Sequence, residues 1–138
     1  MVLPTRECFA ARLVERDRAH DLAALLIRRP DAEPNAVSDE EPSGVLSACG
    51  YGPDGQLRCF RGDITGAAIA VGAVYPSLTI AGAARPGDSG GGVLNTSGQL
   101  VGVIWGQREG LTYATCGRPV RDFLNRVLSQ SAGQLPRA

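Results

Sequence analysis

Pro86-Gly87-Asp88-Ser89-Gly90-Gly91 is the stretch on which the reading of this chain turns. Glycines on both sides of Ser89 permit backbone angles that other residues resist. They also let a second polypeptide backbone come close to the Ser89 hydroxyl. Successive N–H groups in such a turn converge on one point and stabilise an oxyanion there. Ser89 is therefore a candidate nucleophile. The alternative is a Gly-rich β-turn with no chemistry.

Working outward, the flanking segments read as strands. Gly92 to Asn95 and Gln99 to Trp105 lie on either side of Asn95-Thr96-Ser97-Gly98, a hairpin turn signal, and Thr112 to Cys116 is one more strand. Upstream, short apolar runs at Val45 to Tyr51, Leu57 to Ile64, Ala67 to Val74 and Leu78 to Ala81 are strand candidates. The first two are separated by the strong turn Gly52-Pro53-Asp54-Gly55. Cys8 to Glu15 alternates as a strand does, and Asp21 to Ile27 is a continuous apolar run suited to a buried strand. Between them and the rest, Arg29 to Ser43 is rich in Pro, Asp, Glu and Ser and reads as an exposed linker without a core of its own. Val120, Phe123, Leu124, Val127 and Leu128 fall at helical spacing behind Pro119, which predicts a helix over Arg118 to Ser129. Ser131 to Ala138 reads as a frayed end.

The 138 residues suit one domain, and the 43% apolar content suits a buried core. Lys+Arg and Asp+Glu both stand at 14, a balance that argues against a nucleic-acid binder. Every basic residue is Arg, which excludes a lysine base or Schiff base. The 18 glycines, scarce aromatics and short apolar runs are the pattern of an all-β domain with frequent turns. No stretch has the length of a transmembrane helix. Met1 to Glu7 lacks the pattern of a signal peptide, so a cytoplasmic location is the default expectation, unless an export signal belongs to a lost N-terminus. The four cysteines form no CxxC pair and His20 is the single histidine, so neither a metal nor another cofactor is expected. Free buried thiols are the expected state, with a disulfide between Cys49 and Cys59, which flank a turn, as the alternative.

Gly87-Asp88-Ser89-Gly90-Gly91, a hairpin, Val103-Ile104-Trp105-Gly106, Thr112-Tyr113-Ala114 and a terminal helix together resemble the trypsin/chymotrypsin-like serine peptidases, and look most like the bacterial trypsin-like group. The resemblance covers the order of elements from about Val45 to Leu128. It implies an all-β fold: a complete second antiparallel barrel of six strands, a first barrel mostly missing, and a C-terminal α-helix. It divides the chain into a first-barrel remnant over residues 1–28, a linker over 29–43, and the second barrel with its helix over 44–130. It implies peptide-bond hydrolysis through an acyl-enzyme on Ser89, with the N–H groups of Gly87 and Ser89 as the oxyanion hole. Ile104, Trp105 and Gly106 would line the cleft for a polypeptide substrate, the Gly106 backbone pairing with an extended peptide. Arg18-Ala19-His20-Asp21-Leu22-Ala23-Ala24-Leu25 resembles the strand that carries the family's catalytic aspartate, which makes Asp21 the residue that orients the imidazole. Ala83, six before the serine, stands where trypsin has an Asp, and implies a small or apolar side chain beside the scissile bond.

The pattern departs in one decisive place. The triad needs a histidine as general base, and His20 sits next to Asp21, where adjacent strand side chains point to opposite faces. Gly92, where many family members have Pro, is a mild departure. Three readings stand: a fragment or mis-started reading of an active enzyme, a homologue that has lost its base and binds peptides or nothing, or His20 reaching Ser89 through an unusual backbone. A non-catalytic peptide-binding module is thus the rival to the enzyme. Half a barrel leaves sheet edges and apolar faces open, so residues 1–28 are expected to be poorly held or to lie over the second barrel as loose strands.

Overall fold

The computed structural model describes residues 7–68 and 77–131. Eight strands and a helix follow in order: β1 (Ala11–Asp17), β2 (Leu22–Ile27), β3 (Val45–Gly50), β4 (Arg58–Ala68), β5 (Ser77–Ala81), β6 (Gly92–Leu94), β7 (Leu100–Arg108), β8 (Leu111–Cys116) and α1 (Arg118–Ser131). Strands β3-β4-β5-β8-β7-β6 close into a barrel with antiparallel neighbours throughout. Strands β1 and β2 form a separate two-stranded antiparallel sheet. The expected all-β architecture with one complete six-stranded barrel and a C-terminal helix is the one observed.

The barrel closes on a small apolar core. Leu46, Ala48, Ile80, Val93, Val101, Ile104 and Ala114 are buried together. Along β3 burial alternates residue by residue, as the two-residue period of a strand requires. Both turn signals sit where chain reversal is needed. Gly52–Gly55 links β3 to β4, and Asn95 Oδ1 accepts the N–H groups of Ser97 (3.0 Å) and Gln99 (2.9 Å), which folds the β6–β7 turn on itself.

Leu57 to Ile64 and Ala67 to Val74 were separate strand candidates, but one strand runs from Arg58 to Ala68, and the remainder of the second candidate lies outside the described residues. The pairing of β4 with β5 shifts register between Ile64 and Gly66. A bulge of this kind lets a strand bend without ending, and Thr79 Oγ1 holds it, 2.8 Å from Thr65 Oγ1 and 3.0 Å from the Gly66 carbonyl. Cys49 and Cys59 are not free thiols. They are direct partners in the β3–β4 ladder, with Cα atoms 4.1 Å apart, and form a disulfide; Cys116 remains a free thiol.

The N-terminal strands are paired with each other and docked, not loose. Leu22 is buried with Val120, Phe123 and Val127 on the apolar face of α1. The Thr115 hydroxyl donates to the His20 carbonyl at 2.7 Å, joining the β1–β2 turn to β8. The linker is tied as well. Ser38 N–H donates to the Leu100 carbonyl (2.9 Å), Leu100 N–H to the Ala36 carbonyl (2.7 Å), and the Glu41 carboxylate accepts the Arg118 N–H at 3.2 Å. That last bond satisfies one of the amides left unpaired where α1 begins.

Candidate active site

The turn carrying Ser89 rests on the β3–β4 hairpin with backbone against backbone. Gly87 has φ +94°, and a Cβ there would meet the Gly52 carbonyl; a Cβ on Gly91 would meet the Cys49 carbonyl. Glycine at 87 is thus required twice over, by conformation and by space. Asp88 N–H donates to the Arg85 carbonyl (3.0 Å), Gly91 N–H to the Asp88 carbonyl (2.9 Å) and Gly90 N–H to the Ile104 carbonyl (2.7 Å). Ile104 N–H returns a bond to the Gly91 carbonyl at 2.9 Å, so the turn is fastened to β7 as well as to the hairpin. Among the hydrogen bonds of the described residues, the N–H groups of Gly87 and Ser89 have no protein acceptor.

Asp88 and Ser89 face opposite ways. Asp88 is buried below the turn, whereas Ser89 is exposed and its hydroxyl donates to the Trp105 carbonyl at 3.3 Å. Burial pushes the Asp88 carboxyl up, but the Arg85 N–H and guanidinium and the Gly52 N–H outweigh it and hold the group below the ordinary carboxylate value.

Trp105 owes its position to a β-bulge. Between Ile104 and Gly106 the pairing of β7 with β8 shifts register, leaving Trp105 as the extra residue. Its indole N–H donates to Ser77 Oγ at 2.9 Å, and its ring lies 5.3 Å from that of Tyr113. Beside it opens a cleft of about 480 Å³ bordered by Asp21, Leu22, Ala23, Leu25, Ser89, Gly90, Val103, Ile104 and Trp105. The fold therefore brings Asp21, Ser89, Ile104 and Trp105 to one cleft. Gly106 lies just beyond the bulge, opposite Tyr113 on β8. Ala83 is exposed in the loop after β5 and is not among the residues bordering the cleft.

His20 and Asp21 lie in the turn between β1 and β2 and not on a strand, and Asp21 has φ +52°. Asp is one of the few residues that tolerates this region. The His20 ring is held at 2.7 Å from Asp17 Oδ2, and the His20 N–H donates to Asp17 Oδ1 at 3.2 Å. Burial pushes the Asp17 carboxyl up, but its bonds to His20 and the nearby Arg126 leave it below its ordinary value. His20 is not among the residues bordering the cleft. Among the described residues no group of three or more His, Cys, Asp or Glu side chains is placed to hold a metal ion.

Residues 2–103 match the family model of the trypsin-like peptidase domain. The chain belongs to that family. Several solved trypsin-like peptidases share its fold. It is 22% identical to the Rv3671c protease in its inactive form, with a TM-score of 0.74 over 88% of this chain and 68% of that one. A serine-to-alanine mutant of the same protease from M. tuberculosis H37Rv, also in the inactive form, is 20% identical, with a TM-score of 0.71 over 94% and 68%. The HtrA-type protease AlgW, solved with a decapeptide, is 20% identical with a TM-score of 0.81 over 93% of this chain, which spans 43% of AlgW. No curated protein matches the chain in sequence. Among the described residues no helix is long and apolar enough to cross a membrane.

Two features of the site escaped the sequence reading. The Trp105 bulge has no local signature, because it exists only as a mismatch between two strands. Arg85 stood in the sequence as one arginine in a loop, and nothing there says that Asp88 is buried against it.

Proposed function

We propose that this chain carries the nucleophile, the oxyanion donors and the orienting acid of a serine endopeptidase acting through an acyl-enzyme on Ser89. The observation that carries the reading is that Asp21 and Ser89, from different elements and far apart in sequence, border one cleft beside the bulged strand β7. Ser89 Oγ attacks the scissile carbonyl carbon and loses its proton to an imidazole. The N–H groups of Gly87 and Ser89, which have no protein acceptor among the described residues, take the oxyanion. The amine leaves with that proton, and water then hydrolyses the ester by the same route reversed. Asp21 orients the imidazole. Ile104, Trp105 and Gly106 line the path of an extended peptide. AlgW, of the same fold, was solved with a decapeptide, which supports a polypeptide ligand here. On this reading residues 1–28 are the remnant of a first barrel, 29–43 the linker, and 44–130 the second barrel.

The single histidine of the sequence is turned to Asp17, so the imidazole comes from outside this sequence. Alone, the chain retains only the contribution of binding and the oxyanion hole, roughly 10³- to 10⁴-fold over water. Reaction with a fluorophosphonate, with and without added imidazole, tests this. Slow labelling of Ser89 that imidazole accelerates, absent from Ser89→Ala, is the expected result. No adduct on Ser89 under either condition overturns it.

A second reading has its own support. The Ser89 hydroxyl is bonded to the Trp105 carbonyl and His20 is bonded to Asp17, an arrangement suited to binding peptide without turnover. Equal peptide affinity of the native chain and Ser89→Ala by calorimetry, together with no labelling, would establish a non-catalytic peptide-binding module.

A further inference from the structure

Thr115 lies on barrel strand β8 and faces outward, yet it is only 1% exposed. Side chains of a strand alternate between its two faces. The neighbouring Ala114 belongs to the barrel core, so Thr115 points away from that core. What it meets there is the turn between β1 and β2. Thr115 Oγ1 donates to the His20 carbonyl at 2.7 Å, across a sequence separation of 95. Val103, the partner of Thr115 on β7, packs against the Leu22 cluster and borders the cleft. The hydroxyl therefore stands where the barrel, the docked hairpin and the cleft come together.

The His20 carbonyl belongs to the planar peptide unit that joins His20 to Asp21. A bond to that oxygen fixes the plane of the unit, and with it the direction in which residue 21 leaves the turn. Asp21 needs such a hold. Its φ of +52° lies in the left-handed region, which a side chain adopts at a cost and keeps where its surroundings impose it. Asp17 holds the same turn from the other side. Its carboxylate accepts the His20 N–H at 3.2 Å and lies 2.7 Å from the His20 ring. Those bonds act within the hairpin, between residues three apart, whereas Thr115 ties the turn to the barrel on which the Ser89 turn is fastened.

We infer that Thr115 is a positioning residue, whose hydroxyl holds the His20–Asp21 peptide so that Asp21 is presented to the cleft that Ser89 borders. The inference rests on the reading of Asp21 as the orienting acid, although the conformation of Asp21 can be observed without any chemistry. Asp21 adjoins a two-stranded sheet that is separate from the barrel. Its relation to Ser89 is therefore set by the contacts between the two sheets, and a buried bond at its own peptide has more direction than the apolar packing of Leu22.

The test compares the native full chain with Thr115→Val, which keeps the shape and loses the donor, and with Thr115→Ser, which keeps the donor. Nuclear magnetic resonance couplings of Asp21 report its φ, and fluorophosphonate labelling of Ser89 is followed with and without imidazole. In Thr115→Val the Asp21 couplings should move toward an average over several conformations. The imidazole-dependent part of labelling should fall about fivefold, the effect of losing one hydrogen bond, while the imidazole-independent rate stays. Thr115→Ser should restore both. On an Asp21→Asn background, Thr115→Val should bring no further loss, because the two changes act through one group. Asp21 couplings equal to the native values overturn the inference, as does slowing that is equal with and without imidazole. Should Thr115→Val fail to fold, Thr115→Ala is measured against the same outcomes. A native chain that never labels, with Asp21 loosened in Thr115→Val and restored in Thr115→Ser, removes the peptidase reading and leaves the positioning role. A native chain that labels, with Asp21 unchanged in Thr115→Val, removes the positioning role and leaves the peptidase.

Discussion

Replacing Leu22 by alanine should free the strand pair that carries Asp21 while leaving the barrel folded. Leu22 is 7% exposed and packs with Val120, Phe123 and Val127 in an apolar cluster separate from the barrel core. Truncating a leucine so buried costs about 3 kcal/mol, from lost transfer energy and the cavity left behind. The other ties of the hairpin are smaller. The Thr115–His20 bond is worth about 1 kcal/mol. The ion pair of Arg126 with Asp17, at 3.7 Å with Arg126 half exposed, is worth a fraction of that after solvent screening. A two-stranded hairpin is marginal by itself in water, so removing its main contact should raise the undocked population roughly a hundredfold, at 1.4 kcal/mol per factor of ten. Hydrogen exchange read by mass spectrometry would show this as faster exchange over Ala11–Ile27 with β3 to β8 unchanged. Because Asp21 directly precedes Leu22, the imidazole-dependent part of Ser89 labelling should fall in parallel. Protection of the hairpin equal to that of the native chain, or an equal loss of protection in the barrel, would refute the reasoning.

Removing the Cys49–Cys59 bridge, which closes a loop with a sequence separation of 10, should cost about 2.7 kcal/mol on the chain-entropy relation, read as a lower urea midpoint for Cys49→Ala/Cys59→Ala or on reduction. Gly87→Ala should destabilise the turn and abolish labelling of Ser89, since it adds a side chain at φ +94° against the Gly52 carbonyl; wild-type labelling by that variant would contradict the geometry. Asp88 and Asp17 are both held below their ordinary carboxyl value of 3.8, so their stabilising contribution is complete above that value and is lost as pH falls through their lower native values; an acid titration should show loss of stability setting in below about pH 4, and Asp88→Asn should flatten it. Burial, with the Glu41 carboxylate adding to it, pushes the Cys116 thiol up to about 12, so iodoacetamide at pH 8 should spare Cys116 in the folded chain and alkylate it after denaturation, as peptide mapping would show.

What the linear chain specified was whatever depends on near neighbours. Gly52-Pro53-Asp54-Gly55 and Asn95-Thr96-Ser97-Gly98 specify reversals through backbone conformations and side-chain bonds reaching only a few residues, and both reversals are where they were expected. The spacing of Val120, Phe123 and Val127 specifies one face of a helix, and that face is buried. The glycines around Ser89 specify a turn in which a hydroxyl stays exposed. What the tertiary structure decided depends on which distant segments meet. The Trp105 bulge is a difference in count between β7 and β8. The disulfide exists because the ladder sets Cys49 opposite Cys59, a register that no spacing rule supplies. The turn at Arg18–Asp21 sent the His20 ring to Asp17, and Asp88 found its partner in Arg85 only because the turn was laid on the β3–β4 hairpin. Local preferences act over one turn of chain, whereas register, burial and charge pairing are properties of the closed barrel and of what is packed against it.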